Sequence, residues 1–584
     1  MKINYQCSLF NYNLSKLPRN INFRGEIKKT MTNKMMPGNL LLFLFIFIIS
    51  SVCAQDPLAG RFSGSLQANG NFFIKDSLIG AYKTPQYESK KFGSELWLNL
   101  NYNAKDFDMG LRFDMFNNSN IVNPNGSFTG QGIGVWWIHK KVNAFDFRVG
   151  YIYDQIGSGI IYRAYEDRPL AIDNALYGAR MSYDINQDWK VKVFAGKVKT
   201  FFAYSGPTIK GGSITGFITG KEGSTWSLAP GVGFVNQTFD DETIQQITAN
   251  VSTYTPSDGI NLYHNTYAGS AFNTLTYKNL SLYIEGAYKY HDVYRDATAP
   301  LTLWDGTVTA GKFRDDPGTV FFGSLTYAAD KIGITLEGKR TENFRYRIDP
   351  FAEGNFGAIN YIPPMARQNT YRLTAFYSAV TQELSEQAFQ MDVTYSLNKK
   401  VGLLVNGSYI NDLEGNLLYR EIYTEAQIKP NTSWNIIGGL QLQNYNIDVY
   451  LSHKGEPNVK TIVPYADVLY KMNKTKSIRL EAQYMSTKQD RGSWVYALVE
   501  VGVAPHWIFT VSDMYNLASD EIKRLKPELK NKTHYFTAGL VYNAGTNRFS
   551  LNYVKQVDGI VCSGGVCRYE PAFSGVRLNM LSNF

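Results

Sequence analysis

Long apolar runs are almost absent from this sequence. Beyond position 54 no stretch approaches the about eighteen residues a bilayer-crossing helix needs, so helical membrane spans are excluded. Charge is sparse too, at 19% of residues. Cysteine is scarcer still, with four in 584 residues. The six histidines (139, 264, 291, 453, 506 and 534) are scattered and form no ligand spacing along the chain. No Gly-x-Ser-x-Gly elbow occurs. Gly130, Gly132 and Gly134 lack both the dinucleotide spacing and a βαβ context, and small residues in a strand explain them better. An enzyme, a cofactor and a metal are therefore not expected, although a Ser/His site assembled across strands would leave no local motif.

The one apolar run, Leu40 to Ile49, follows Lys28, Lys29 and Lys34 and precedes Ser50-Ser51-Val52-Cys53-Ala54. That order is a secretory signal with cleavage expected before Gln55; Cys53 leaves lipidation open, though Val52 fits a lipobox poorly. Met31, Met35 and Met36 lie downstream of a long leader, which suggests a start placed too early. We take residues 1–54 as leader and 55–584 as a single domain. The leader's seven basic residues and one acid leave 52 basic and 49 acidic residues, so the net charge falls from +9 to about +3. A nucleic-acid partner loses its main support.

What is abundant is aromatic and small. Aromatics reach 14%, with 40 Tyr, beside 50 Gly. Girdles of aromatic rings and tight turns would give those values in a large membrane β-barrel. The pattern agrees. Leu280, Leu282, Ile284, Tyr288 and Tyr290 alternate with Ser281, Glu285 and Lys289; Phe389, Met391, Val393 and Tyr395 alternate with Gln390, Asp392 and Thr394; Ile478, Leu480 and Tyr484 alternate with Arg479, Glu481 and Gln483. Each is a segment of period two with one apolar and one polar face. In Phe92–Asn103 only Ser94 and Trp97 break the rule. About two dozen such segments are expected, in even number. Short turns at Asn398–Lys400, Asn473–Lys476 and Ala544–Asn547 contrast with longer links at Asp296–Gly318, Arg347–Gln368, His453–Lys460 and Leu517–Lys532, which read as outer loops. Asp520–Lys530 reads as a solvated loop face, with contact to anionic lipopolysaccharide as the alternative. No plug-sized segment precedes the first strand, which counts against an energised, plugged transporter.

In the last stretch Val576, Leu578, Met580 and Phe584 oppose Gly575, Arg577, Asn579 and Asn583. Ending on Phe584 resembles the closing-strand signal of bacterial outer-membrane barrels, which implies recognition by the barrel-assembly machinery. Just before it, Cys562 and Cys567 flank Gly564 and Gly565, which permit a reversal; a disulfide is expected in an exported chain, since zinc would need more ligands nearby.

One segment departs from alternation. Between Asp154 and Arg180, Gly157 and Gly159 break the strand and Pro169 forbids a central ladder position. Asp154, Arg163, Glu166, Asp167, Arg168, Asp173 and Arg180 stand among Tyr and Ile. Such a segment is too charged for lipid and too apolar for a solvated loop, so it is expected to fold into the lumen. Arg163, Glu166, Asp167, Arg168 and Asp173 should then be fixed by pairing with one another or with the wall. It is either a constriction that sets selectivity or an inward fold that keeps a wide barrel from collapsing. Its YRAYEDRPLAIDNALYGAR, with CRYEPAFSGVRLNMLSNF at the end, resembles a family of large, functionally uncharacterised outer-membrane barrels from Bacteroidota. The resemblance implies fold and location, and no catalytic residues. The expectation is an all-β, transmembrane antiparallel barrel of the Gram-negative outer membrane, among lipid and lipopolysaccharide. It would act as a passive channel for small hydrophilic or amphipathic solutes; the alternative is a non-conducting scaffold for envelope protein partners.

Overall fold

Alternating strands with one apolar face can hide their backbone from lipid only by closing on themselves. The computed structural model describes residues 60–584 apart from 222, 353–356, 520–521, 523, 525–533 and 564–565. The leader, its cleavage site and most of the Asp520–Lys530 link lie outside the described residues. Twenty-four antiparallel strands form one closed barrel. The last strand, Phe573–Asn583, pairs with Asn547–Gln556 on one side and with the first strand, Arg61–Phe73, on the other. No barrel strand is left as an edge. At the seam Phe584 exchanges both backbone hydrogen bonds with Gly64, at 2.7 and 3.0 Å. Its ring occupies the space that a side chain at position 64 would need.

The faces sort as alternation requires, with the usual burial order inverted. Ile284, Tyr288, Phe389, Leu480 and Leu578 are exposed on the outside, while Glu285, Lys289, Gln390, Glu481 and Gln483 are buried on the inside. Large exposed apolar residues around the whole circumference are what a lipid-facing band requires. Short turns gather on one rim, where Asn143, Lys278 and Gly545 adopt left-handed backbone, and the longer links occupy the other.

Trp97, the apolar exception on the polar face of its segment, lies on the lumen face, 4% exposed, edge-on to Phe116. One expectation needs correction. The Arg347–Gln368 link is not an outer loop. Residues 343–352 and 357–384 fold into the barrel, burying Phe344, Tyr346, Ile359, Met365, Leu373 and Tyr377. The ambiguous Ala358–Pro363 stretch belongs to this inward segment and is no barrel strand; Ala358 only bridges Arg347. The reason is composition. That link carries too many large apolar side chains to be stable in water. The Asp296–Gly318 link does stay at the rim. Its hairpin of Tyr294–Thr302 and Val308–Arg314 packs Leu301 and Phe313 against Ile247 of the helix Asp241–Val251.

Cys562 and Cys567 face each other in a two-stranded ribbon, Gly559–Ser563 with Val566–Glu570, and are joined as a disulfide. Thiol titration of the denatured mature chain should find no free thiol without reductant and two with it. Two free thiols in freshly isolated membranes would contradict the bond. The loop it closes is short, so its contribution to global stability is modest.

Candidate functional site

The inward segment begins where the strand Phe145–Ile152 ends. Left-handed backbone at Gly157, φ +55°, turns the chain so that Ser158 N and Oγ both donate to Glu285 Oε2, at 2.9 and 2.6 Å. Gly233 on the wall leaves room for Ile156. Tyr162 stacks on Phe194 with centroids 4.6 Å apart. These contacts bury Ile156, Ile160, Ile161 and Tyr162 almost completely. Burial pushes the Tyr162 hydroxyl far above its ordinary pKa, so it remains neutral.

The charged half follows. Arg112, on the wall strand Phe107–Ser119 and 4% exposed, is its hub. Its guanidinium binds Asp114 through two nitrogens at 2.7 and 2.8 Å, Glu166 at 2.8 Å and Asp173 at 2.5 Å. Asp173 also accepts from Lys199 Nζ at 2.6 Å and Tyr153 OH at 2.7 Å. Burial pushes the Asp173 carboxyl up, but Lys199 and Arg112 outweigh it and hold it below the ordinary carboxylate range. Arg168 donates to Glu166 at 2.6 Å and to Gln67 at 2.7 Å, with its guanidinium 5.0 Å from the Trp97 ring centroid. Farther along the wall, Asp154 takes Lys192 at 2.6 Å and Arg180 at 3.6 Å, and Arg180 also reaches Asp146 at 2.8 Å.

So Glu166, Arg168 and Asp173 gather around Arg112, and Asp154 meets Arg180 at the wall. Arg163 and Asp167 depart from the expectation of charge pairing. Among the described residues Arg163 has no carboxylate partner; it lies between the rings of Tyr165 and Tyr361, 4.5 and 4.2 Å from their centroids. Asp167 accepts from Leu170 N at 3.1 Å and so caps the turn around Pro169. Arg180 sits on the strand Leu176–Asp184, on the wall itself.

Tyr361 belongs to the second inward segment, which sequence reasoning missed as part of the site. The two segments are stitched by backbone bonds, Arg163 N to Ile359 O at 2.8 Å and Tyr361 N to Gly159 O at 2.9 Å. Wall amides hold the second segment's backbone: Gln237 donates to Arg347 O, Gln441 to Thr374 O and Gln443 to Tyr377 O, at 3.1, 2.9 and 2.7 Å. The buried pair Lys339–Glu386, 3.0 Å apart, adds a bond from Lys339 Nζ to Pro363 O. An inward loop in a low-dielectric interior must satisfy its peptide groups, and lumen-facing amides do that here. A signal was available. Phe344, Tyr346, Ile348, Ile359 and Ile362 lie in the same link, which fits water no better than the Tyr162 stretch does.

Between Glu166–Asn174 and the outer rim lies a cavity of about 670 Å³. Trp97, Phe116, Phe128 and Phe202 form an aromatic wall; Arg168, Lys199, Asp240 and Glu242 are among the charged groups around it. The arrangement offers ring-stacking surface and charge to one small amphipathic molecule.

A family model described as a family of unknown function (DUF6029) matches residues 34–584. The chain belongs to this family. No curated protein matches it. Among solved structures it is similar to the siderophore receptor PirA of Pseudomonas aeruginosa, at 6% identity and a TM-score of 0.37 over 90% of this chain and 80% of that one. It is similar to the ferric-catecholate import receptor Fiu of Escherichia coli K12, at 10% identity and 0.36 over 90% and 82%. OccK5 of P. aeruginosa matches at 9% identity and 0.33, over 76% and 97%. At that level none of them assigns a ligand to this chain.

Proposed function

We propose that this family member is an outer-membrane channel of a Gram-negative bacterium of the Bacteroidota, passing a small hydrophilic or amphipathic solute through a lumen narrowed by its two inward segments. The observation that carries it is the aromatic and charged cavity beside Glu166, Arg168 and Asp173, on the loop-bearing side of a polar-walled barrel. Glu166, Arg168 and Asp173 line the path, while Asp154, Arg163, Asp167 and Arg180 hold the narrowing segment in place. Lipid and lipopolysaccharide would meet the outward apolar band, and Phe584, seated against Gly64, would be the residue read during assembly. Purified protein in planar bilayers should give discrete conductance steps. Arg168→Gln should shift ion preference toward cations, because a positive charge leaves the path. Steps unchanged in selectivity would remove Arg168 from it.

A second reading has its own observation. The lumen contains an apolar core, with Trp494, Tyr419, Tyr445, Phe344 and Tyr346 almost wholly buried, which suits a non-conducting barrel that docks envelope partners. Absence of conductance together with stable co-purifying proteins would favour it.

A further inference from the structure

Four neighbouring wall strands, Trp189–Thr200, Ala203–Gly216, Trp226–Thr238 and Asn265–Tyr277, carry a pattern on their outward face that alternation alone does not require. The last of them runs down to the Lys278 turn on the short-turn rim, so Asn265 and its register partner Thr238 lie at the outer rim. Register sets the outward side chains in rows across these strands. The two rows nearest the outer rim hold Lys197, Lys210, Asn236, Thr238 and Asn265. In the rows beneath, Val193 and Phe234 flank Gly212, and Ile214 faces Val232. Tyr177, in register with Lys197, stacks on Tyr204 at 5.4 Å, which marks this level as the aromatic belt of the membrane interface.

Below the lysines a shallow groove of about 810 Å³ opens toward the lipid, walled by Val193, Ile214, Val232 and Phe234 and headed by Lys210. Gly212 is its floor. A Cβ there would stand 2.7 Å from the Lys192 carbonyl oxygen, so nothing but backbone lies beneath a guest.

We propose that this groove seats a phosphorylated glycolipid of the outer leaflet, a lipopolysaccharide, with a phosphate between Lys197 and Lys210 and an acyl chain along Gly212. The proposal rests on the outer-membrane reading above. Charge complementarity carries it. Lys210 Nζ donates to Thr238 Oγ1 at 3.1 Å, and Lys197 Nζ stands 5.9 Å from the Tyr204 ring centroid; among the described residues neither pairs with a carboxylate. By contrast Arg340, also outside and near the rim, is neutralised by Glu342 at 2.8 Å. Lys197 faces Thr208, two residues from Lys210, so the lysines are diagonal neighbours with Cα atoms about 7–8 Å apart. Two like charges so placed repel, and an anion held between them removes that repulsion. Lys210 keeps two of its three N–H donors for a phosphate. Asn265 Oδ1 accepts from Thr238 Oγ1 at 2.7 Å, which leaves the Asn265 Nδ2 donor for a sugar oxygen. A glycerophospholipid would use the lysines and the groove but not this amide shelf.

The test uses the delipidated mature barrel in mild detergent, titrated with bisphosphorylated lipid A and read by native mass spectrometry. One tightly held lipid A per barrel is expected, weakened at least tenfold in the double variant Lys197→Gln, Lys210→Gln and unaffected by Lys278→Gln on the opposite rim. Both lysines are outside the lumen, so the variants should stay heat-modifiable; if the double variant does not fold, Lys210→Gln alone decides. Lipid A stripped of its phosphates, and phosphatidylglycerol, should each bind at least tenfold more weakly. Binding indifferent to the lysine changes would overturn the site. Equal binding of dephosphorylated lipid A would overturn the phosphate contact, and equal binding of phosphatidylglycerol the glycolipid assignment. Membrane fractionation separates this from the location: a barrel found outside the outer membrane that still holds lipid A sinks the location and not the groove.

Discussion

Replacing residues 344–383 with a short Gly/Ser turn is expected to raise single-channel conductance several-fold while leaving a closed, heat-modifiable barrel. The ends of the excision already meet. Asn343 N donates to Leu384 O at 2.7 Å, and Glu342 and Ser385 are register partners on adjacent strands, so a tight turn can join them without moving the wall. The excision uncovers Gln237, Gln441 and Gln443, whose side chains can turn to water instead of the lost peptide groups. A barrel of 24 strands is wider than the sixteen- to eighteen-stranded porins that leave an aqueous channel, so its diameter does not limit flow once the filling is gone. Replacing Tyr162–Ile172 alone should give a smaller rise, because the second segment stays. Removing both should give the largest. Unchanged conductance after the double excision would show that neither segment lies across the path. Failure of the barrel to fold would assign both a structural role.

Arg112→Ala is expected to release the charged half of the first segment. The substitution leaves Asp114, Glu166 and Asp173 with Lys199 and Arg168 as the nearest cations, and Asp114 is 2% exposed. Breaking a buried ion pair by removing one partner costs about 3–5 kcal/mol, against about 0–1 kcal/mol for an exposed pair. Because the barrel's strand ladders stay intact, the loss should appear locally, as amide exchange over residues 163–174 faster by roughly two to three orders of magnitude. Arg112→Lys should rescue only in part, since an ammonium cannot reproduce the fork that meets three carboxylates. The pH dependence has a definite sign. Asp173 is held below the ordinary carboxylate range, so its stabilisation is present above about pH 4 and is lost as pH falls through the lower folded value. Wild-type protein should therefore keep this half of the segment protected at neutral pH and begin to release it only in acid. A change in exchange of less than tenfold in Arg112→Ala would mean that water, not Arg112, satisfies these acids.

The alternation of Leu280–Tyr290, with Ile284 and Tyr288 opposite Glu285 and Lys289, is enough to determine a barrel. Side-chain direction in a strand depends only on parity, and a two-faced strand in lipid has no stable form except a closed ring. The same local logic determines that the Tyr162 stretch turns inward, because burial of its isoleucines and satisfaction of its charges can be met together only inside the wall. Pairing was not legible. Arg112 lies 61 residues from Asp173, and nothing near either in the chain marks the other. Tyr361 reaches Arg163 only because two distant links enter one lumen. Periodicity is a property of neighbours along the chain, so sequence alone determined the strands, their faces and the first inward segment. The partners inside the lumen depend on which strands the closed ring sets side by side, and tertiary structure alone decided those.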